Sequence, residues 1–245
     1  MLGVAQATPV VDYQQLIEFI KSGRNADFKQ ALGTLTRREI NLSGRSVLMG
    51  TAIGAGNASA VEAMLDWGMA VNRTLPFAYQ GESYEVTPLL FAISAKARGG
   101  VIERLIARGA DVNRDSEGLR PLNLALMTGQ SAVANLLLDH GAQATYVEAR
   151  SGITPLMELA LAGDDAALAR RLVDAGCPVN AQTSSGGTAL TLAVTAGNRP
   201  MVEVLLDLGA NPNIRTGKGE TALAIAQRRH KPELVDMLRR HGGQP

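Results

Sequence analysis

The sequence predicts an all-α fold of stacked antiparallel helix pairs, and three observations lead to this fold class. A similar stretch of sequence recurs along most of the 245-residue chain. Each copy holds two short segments with apolar residues at helical spacing, and glycines separate the segments. A period in the low thirties indicates an array of supersecondary units. The copies begin 33, 34, 34 and 33 residues apart, at Thr87, Arg120, Thr154, Thr188 and Thr221.

The copy that begins at Thr154 shows what each position does. Thr154 followed by Pro155 is typical of a helix N-cap and first helical residue, because proline fixes φ and lacks the N–H that a first turn leaves unpaired. Gly163 is expected to end this first helix, and a second helix is predicted over about residues 165–175. Helices this short bury their apolar faces only against neighbours, so the copies should stack.

The order of residues within each copy resembles the ankyrin repeat. The segments "TPLLFAIS", "VIERLIARGADVN", "MVEVLLDLGANPN" and "VANLLLDHGAQA" carry the resemblance, which covers about residues 43–243. It implies a curved solenoid with hairpin-like fingers on one edge and a concave groove between the fingers and the first helices. The histidine that often follows Thr-Pro-Leu in this family is replaced in every copy. Stacking is therefore expected to depend more on apolar contact.

We predict one ankyrin-repeat domain over residues 10–245. Residues 10–42 are assigned to an N-terminal capping repeat, 43–213 to five repeats, and 214–245 to a C-terminal capping repeat. Residues 1–9 contain "AQA", which is similar to the end of an export signal. Two interpretations stay open: a signal-peptide remnant on a periplasmic or secreted protein, and a flexible N-terminus on a cytoplasmic one. A bacterial source is expected.

Composition argues against several classes of partner. The 24 Lys and Arg are balanced by 23 Asp and Glu, and a net charge of +1 gives no basic field for nucleic acid. No apolar run approaches the ~20 residues that cross a bilayer. The one cysteine, Cys177, has no internal disulfide partner and is predicted to be a structural residue of the core or of a small turn near the surface. We expect a monomer that neither binds nucleic acid nor inserts into a membrane.

No pattern of residues predicts catalysis. The three histidines lie in different turns and lack metal-ligand spacing. The acids of "GDD", which begins at Gly163, fall in a turn between helices, where they favour the following N-terminus. Neither a nucleophile elbow nor a phosphate loop is complete. The sequence therefore predicts no enzymatic activity, no metal and no cofactor.

The largest departure from the repeat pattern is an enlarged finger over residues 73–86. It begins at Arg73 and contains Phe77, Tyr79 and Tyr84. One interpretation is that these aromatic residues cover their own loop. The other is that they form a binding hot spot, because aromatic residues and arginine contribute most of the energy at interfaces.

Further candidates occur in the neighbouring fingers and at the ends of helices. The finger candidates are Arg114, Glu117, Arg120, Tyr146 and Arg150. Arg120 stands where other copies have threonine, so a helix cap is exchanged for a long cation. Residues expected at helix ends that face the groove are Met127, Leu161 and Arg228. Trp67 is assigned to packing rather than to binding.

These observations predict a non-catalytic protein–protein interaction module. Its fingers and groove are expected to bind a protein partner of unknown identity. The alternative is a dedicated inhibitor or immunity protein that blocks a secreted or periplasmic enzyme. The aromatic insertion would suit the cleft of such an enzyme, and an exported N-terminus would place the protein in the same compartment.

Overall fold

The computed structural model of the protein describes residues 12–36, 38–79, 82–98, 100–116 and 118–245, with the backbone alone at positions 77–79, 82 and 83. The chain divides into two compact units, one that runs to residue 117 and one over Gly118–Pro245. Short α-helices that follow one another in pairs make up most of both units. The predicted all-α fold class is confirmed.

The first unit contains three helix pairs among its described residues and one β-hairpin. Its elements are α1 (Tyr13–Lys21), α2 (Asn25–Gly33), α3 (Leu42–Gly54), α4 (Ala58–Asp66), β1 (Leu75–Tyr79), β2 (Glu82–Val86), α5 (Pro88–Ser94) and α6 (Val101–Ala107). The hairpin forms in the segment predicted as an enlarged finger.

The second unit contains four helix pairs. They are α7 (Pro121–Met127) with α8 (Ser131–Asp139), α9 (Pro155–Ala162) with α10 (Ala166–Asp174), α11 (Ala189–Ala196) with α12 (Arg199–Asp207), and α13 (Ala222–Arg228) with α14 (Pro232–Arg240). We use "first helix" and "second helix" for the two members of each pair, and "finger" for the segment that joins one pair to the next.

Threonine begins most of these first helices, as the repeat pattern predicts. The hydroxyl of Thr87 accepts a hydrogen bond from the N–H of Leu90 at 3.2 Å, and Thr154 accepts one from Met157 at 3.4 Å. Asp165, the last residue of "GDD", caps α10 by accepting from Leu168 at 2.9 Å. Each cap satisfies an N–H that a helix cannot satisfy internally.

Helices of the same kind pack together within each unit. In the first unit, α3 contacts α1 and α5, and α4 contacts α2 and α6. In the second unit, α9 contacts α7 and α11, and α12 contacts α10 and α14. Apolar residues on the facing sides of these helices are fully buried. Examples from one repeat are Leu156 on α9 and Leu168 and Leu172 on α10. Burying each such side chain contributes about 1.5–3 kcal/mol, so every pair depends on its neighbours for stability.

Asparagine side chains join neighbouring repeats, a contact that the sequence pattern did not predict. Asn72 accepts from the N–H of Asp111 at 2.7 Å and donates to the carbonyl of Gly109 at 2.9 Å. Asn180 makes the equivalent two bonds to the next repeat at 3.3 and 2.8 Å. The expectation of mainly apolar stacking is therefore incomplete, because these amides provide directional bonds across the repeat boundary.

Cys177 lies in the core, which is one of the two predicted placements, and the expectation that it lies near the surface is wrong. Its side chain is 2% exposed, and burial raises the pKa of its thiol. The equivalent positions in other repeats hold Ala110, Ala142 and Ala210, which are also buried. The turn itself reaches the surface, but the side chain at this position points into the core.

Candidate partner-binding surface

Large apolar side chains that remain exposed are distributed unevenly over the repeats. In the described part of the chain, three of them lie in fingers, four lie on first helices, and the second helices carry none. The seven residues are Leu42, Val47, Tyr84, Leu119, Met127, Val147 and Leu161. Single exposed apolar residues are common on any protein, but their confinement to fingers and first helices marks one side of the repeats.

The second helices carry charged contacts instead. In the first unit, Arg108 pairs with Asp66 at 2.7 Å, and Arg104 pairs with Glu62 at 3.2 Å, which joins α6 to α4. In the second unit, Arg171 of α10 pairs with Asp139 of α8. Exposed pairs of this kind contribute little stability. They show that the surface of the second helices is polar and that these arginines are paired with carboxylates.

A stacked arginine and tyrosine form the centre of a cluster in the second unit. The guanidinium carbon of Arg120 lies 4.1 Å from the ring centroid of Tyr146, within the range of a cation–π contact. Its Nη1 donates to Oε1 of Gln143 at 2.9 Å. Leu119 and Val147, next to these residues in sequence, are 37% and 46% exposed. We call these five residues the finger cluster.

Arg120 occupies the N-cap position of α7 but does not cap the helix. Its backbone (φ −105°, ψ 151°) resembles that of Thr188 (φ −105°, ψ 167°), whose hydroxyl does cap α11. Arginine has no side-chain acceptor. Within the described residues, its buried Nε also has no hydrogen-bond partner. The predicted loss of a cap is confirmed, and a local rule broken without local compensation is typical of a functional position.

The finger that carries Tyr146 is held by an internal carboxylate. Oε2 of Glu148 accepts from the hydroxyl and the N–H of Ser151, both at 2.6 Å, and Oε1 accepts from the N–H of Arg150 at 3.0 Å. These bonds, led by the Ser151 hydroxyl, lower the pKa of Glu148. The Arg150 side chain itself is exposed. Glu148 therefore shapes this finger, which leaves Arg150 available for contact.

The hairpin finger presents Tyr84 on its second strand. In the strand register, position 77 lies opposite Tyr84, and Leu75 lies opposite Val86. Leu75 is buried at 1%, whereas Tyr84 is 40% exposed. The base of the hairpin is thus anchored in the core, while Tyr84 reaches solvent. The side chains of Phe77 and Tyr79 lie outside the described residues.

The remaining candidates from the sequence fall into separate groups. Arg73 and Arg114 are exposed residues of the first unit, and Glu117 lies outside the described residues. Trp67 is half-buried; its indole N–H donates to the carbonyl of Leu35 at 3.1 Å, and the Arg45 guanidinium lies 5.6 Å from its ring. These contacts support the assignment of Trp67 to packing.

The first helices of the second unit add a carboxylate that the sequence analysis missed. Met127 and Leu161, at equivalent ends of α7 and α9, are 47% and 49% exposed. Glu158 lies one turn before Leu161 on α9 and is half-buried. Burial raises the pKa of Glu158. Glu158 could have been found from the sequence, because it places a charge at a repeat position that is apolar in the neighbouring copies.

The described residues give no arrangement for metal binding. Among them, no three His, Cys, Asp or Glu side chains are grouped closely enough to hold an ion. No helix of the described part is both long and apolar enough to cross a bilayer. His230 has a conformational explanation, since its φ of 54° takes the left-handed position that Gly197 holds in the preceding repeat at φ 72°.

Comparison with known proteins identifies the repeats. Family models described as ankyrin repeats match residues 75–148 (three copies) and 172–226 (many copies). Together the two matches span just over half of the chain.

A curated relative matches part of the chain. The nuclear factor NF-kappa-B p105 subunit of chicken (Gallus gallus) is 34% identical over 118 residues. The match covers 47% of this chain and 12% of the relative, so this chain spans only a small part of that protein's length. Because the relative is avian, the comparison lends no support to a bacterial source.

A solved structure matches nearly the whole chain in fold. The ankyrin repeat domain of Bcl-3, described as a unique member of the IkappaB protein family, has a TM-score of 0.73. The match covers 91% of this chain and 97% of that domain at 22% sequence identity. An identity this low supports the fold alone.

Proposed function

We propose that this chain, which belongs to the ankyrin-repeat proteins, is a non-catalytic module that binds a protein partner through its fingers and first helices. The observation that carries the proposal is the confinement of exposed large apolar side chains to these two elements in the described residues. In this fold, fingers and first helices border a common groove. Exposed apolar surface on one side of a repeat array is typical of a protein-binding face.

The finger cluster supplies the features of a hot spot. Arginine and tyrosine are the residue types that dominate interface energetics, and here they are stacked before any partner arrives. Preorganisation lowers the entropy cost of association. The exposed Leu119 and Val147 beside them provide apolar area that excludes water from the pair. We place the centre of the partner contact of the second unit here.

The hairpin finger is the proposed contact of the first unit. Tyr84, with Phe77 and Tyr79 in the same finger, would offer rigid aromatic area at low entropy cost. Arg73, Arg114 and Glu117 would contribute at the rim, as would Arg150 in the second unit. The alternative, in which the aromatic residues only cover their own loop, stays open and is separated by the experiment below.

Three finer ideas remain proposals. Action as an inhibitor or immunity protein against a secreted or periplasmic enzyme gains nothing from the comparisons, and no feature of the described residues favours it over general partner binding. A periplasmic or secreted location depends on residues 1–9, which lie outside the described residues; a cytoplasmic location is the alternative. A monomeric state is also an expectation.

The test uses the full chain as bait in chemical crosslinking and mass spectrometry, followed by affinity measurement with the identified partner. Tyr146→Ala and Tyr84→Ala should each weaken binding roughly 10- to 100-fold. Their melting temperatures should stay near the wild-type value, because neither ring is deeply buried. Glu203→Ala, on the exposed face of the second helix α12, is the matched control and should bind normally.

The opposite pattern would reject the proposal. Binding that survives both tyrosine substitutions and falls with Glu203→Ala would place the interface on the second helices. A lower melting temperature with unchanged affinity for Tyr84→Ala would show that the hairpin aromatics cover their own loop.

A further inference from the structure

We propose that Glu158 selects partners whose docking segment presents a lysine or arginine, flanked by aliphatic side chains, to the first helices α7 and α9. The inference rests on the proposed function and names the chemistry of the partner for that surface. It commits to a basic, apolar protein segment as the occupant.

The position of Glu158 is apolar in the neighbouring repeats. The residue four places after the cap position is Leu124 in α7, Leu192 in α11 and Ile225 in α13, and only α9 of the second unit has a charge there. Because α9 contacts both α7 and α11, the carboxylate of Glu158 lies at the level of a leucine on each side. A charge inside an apolar row is costly unless something compensates it.

The described residues contain no cation that compensates Glu158. Its side chain makes none of the ion pairs or hydrogen bonds found in the described part of the chain. Burial is the one influence that moves the pKa of Glu158, and it moves it upward. The position in the first turn of α9 favours an acid through the helix dipole, whereas desolvation acts against the charged form.

Exposed apolar side chains lie near Glu158 on α9 itself and on the adjoining α7. Leu161 lies three residues after Glu158 on α9, so the two side chains occupy the same face of the helix. Met127 holds the equivalent position of Leu161 on the adjoining α7. Both are about half exposed, at 49% and 47%. Leu161 and Met127 thus form an apolar strip beside one unpaired negative charge, and at the equivalent position of α11 the row continues with the polar Thr195.

The occupant with matching chemistry is a long cation between aliphatic neighbours. Lysine and arginine carry apolar stems that can cover Met127 and Leu161 while their charged ends reach a carboxylate. A metal ion would need several ligands, and no such group occurs among the described residues. An entirely aliphatic segment would bury the charge without a partner and is disfavoured. Charge complementarity therefore favours the basic segment.

The experiment uses a library of random 12-residue peptides displayed on phage, selected against the full wild-type chain, Glu158→Leu and Glu203→Gln. Wild type and Glu203→Gln should enrich peptides with a lysine or arginine among aliphatic residues, and Glu158→Leu should not. One enriched peptide is then synthesised with its basic residue and with norleucine in its place. The basic peptide should bind wild type about tenfold tighter than the norleucine form, and this preference should vanish in Glu158→Leu.

Each result has a definite meaning. Glu158→Leu should remain folded with an equal or higher melting temperature, since leucine occupies the equivalent position in α7 and α11; lost selection by a well-folded variant then supports the inference. Identical enrichment by wild type and Glu158→Leu would overturn it. Peptides without basic residues that still need Leu161 for binding would overturn the inference and leave the proposed function intact. A wild-type chain that selects no peptide would overturn the inference, and the crosslinking experiment would then decide the proposed function by itself.

Discussion

Replacing Arg120 by threonine should make the protein more stable and its partner binding weaker. The backbone of Arg120 already has nearly the conformation of the capping residue Thr188. A threonine there should therefore cap α7 by accepting from the N–H of Asn123. The same change removes the guanidinium whose Nε lacks a partner among the described residues. It also removes the cation that is stacked on Tyr146.

The expected size of the effect follows from these contacts. A restored N-cap contributes about 0.5–2 kcal/mol to the free energy of unfolding. Removal of an unpaired buried donor contributes about 1–3 kcal/mol at most. Against these gains stand the lost cation–π contact, about 0.5–1 kcal/mol at a partly exposed site, and the packing of the arginine stem. The net result should be a stabilisation of about 1 kcal/mol, which raises the melting temperature of a chain this size by about 2–4 °C.

The assay combines urea unfolding followed by circular dichroism, differential scanning calorimetry, and affinity for the crosslinked partner. Arg150→Thr is the matched control: this arginine is exposed in a finger of the same unit, its position caps no helix, and its stability should not change. An Arg120→Thr variant with a lower unfolding midpoint would refute the reasoning about the missing cap. Unchanged affinity in a stabilised variant would refute the role of Arg120 in binding.

Two further substitutions test the explanations of single residues. His230→Gly should raise the free energy of unfolding by about 0.5–1 kcal/mol, because the left-handed φ of 54° is unfavourable for an L-residue; a lower melting temperature would contradict this. Cys177 should resist iodoacetamide in the native state, since it is buried and its thiol pKa is raised. Mass spectrometry should detect labelling only in urea, and Cys177→Ala should melt close to wild type because alanine fills the equivalent sites; rapid labelling of native protein would contradict the core position.

The helix pairs could be predicted from sequence because the signals that form them are local and repeated. A threonine that caps a helix and a glycine in a left-handed turn act within a few residues of themselves. Thr154 caps α9, and Gly197 takes φ 72° after α11. Each copy of the motif supports the interpretation of the others.

Contacts between repeats were harder to predict, because their partners are one repeat away. The side chain of Asn180, for example, bonds to backbone groups of the next repeat. The stacking of Arg120 on Tyr146 joins two fingers of the second unit that are 26 residues apart. Arg120 and Tyr146 were both identified from the sequence as binding candidates. The geometry of their side chains, however, depends on how far one repeat is displaced from the next. That displacement results from packing of the whole row.

Glu158 shows why a site of this kind is best sought by comparing repeats with one another. Taken alone, a glutamate in the first turn of a helix is an ordinary residue that favours the helix dipole. Only the leucines at the equivalent positions of α7 and α11 show that this side chain replaces an apolar contact. Arg120 is detected in the same way, against the threonines of the other caps. Arg120 makes no side-chain cap bond, Glu158 is a desolvated charge, and both occur on elements that carry exposed apolar side chains. Most repeats keep the stabilising residue, so under the function proposed here a partner would supply the compensation that these two positions lack.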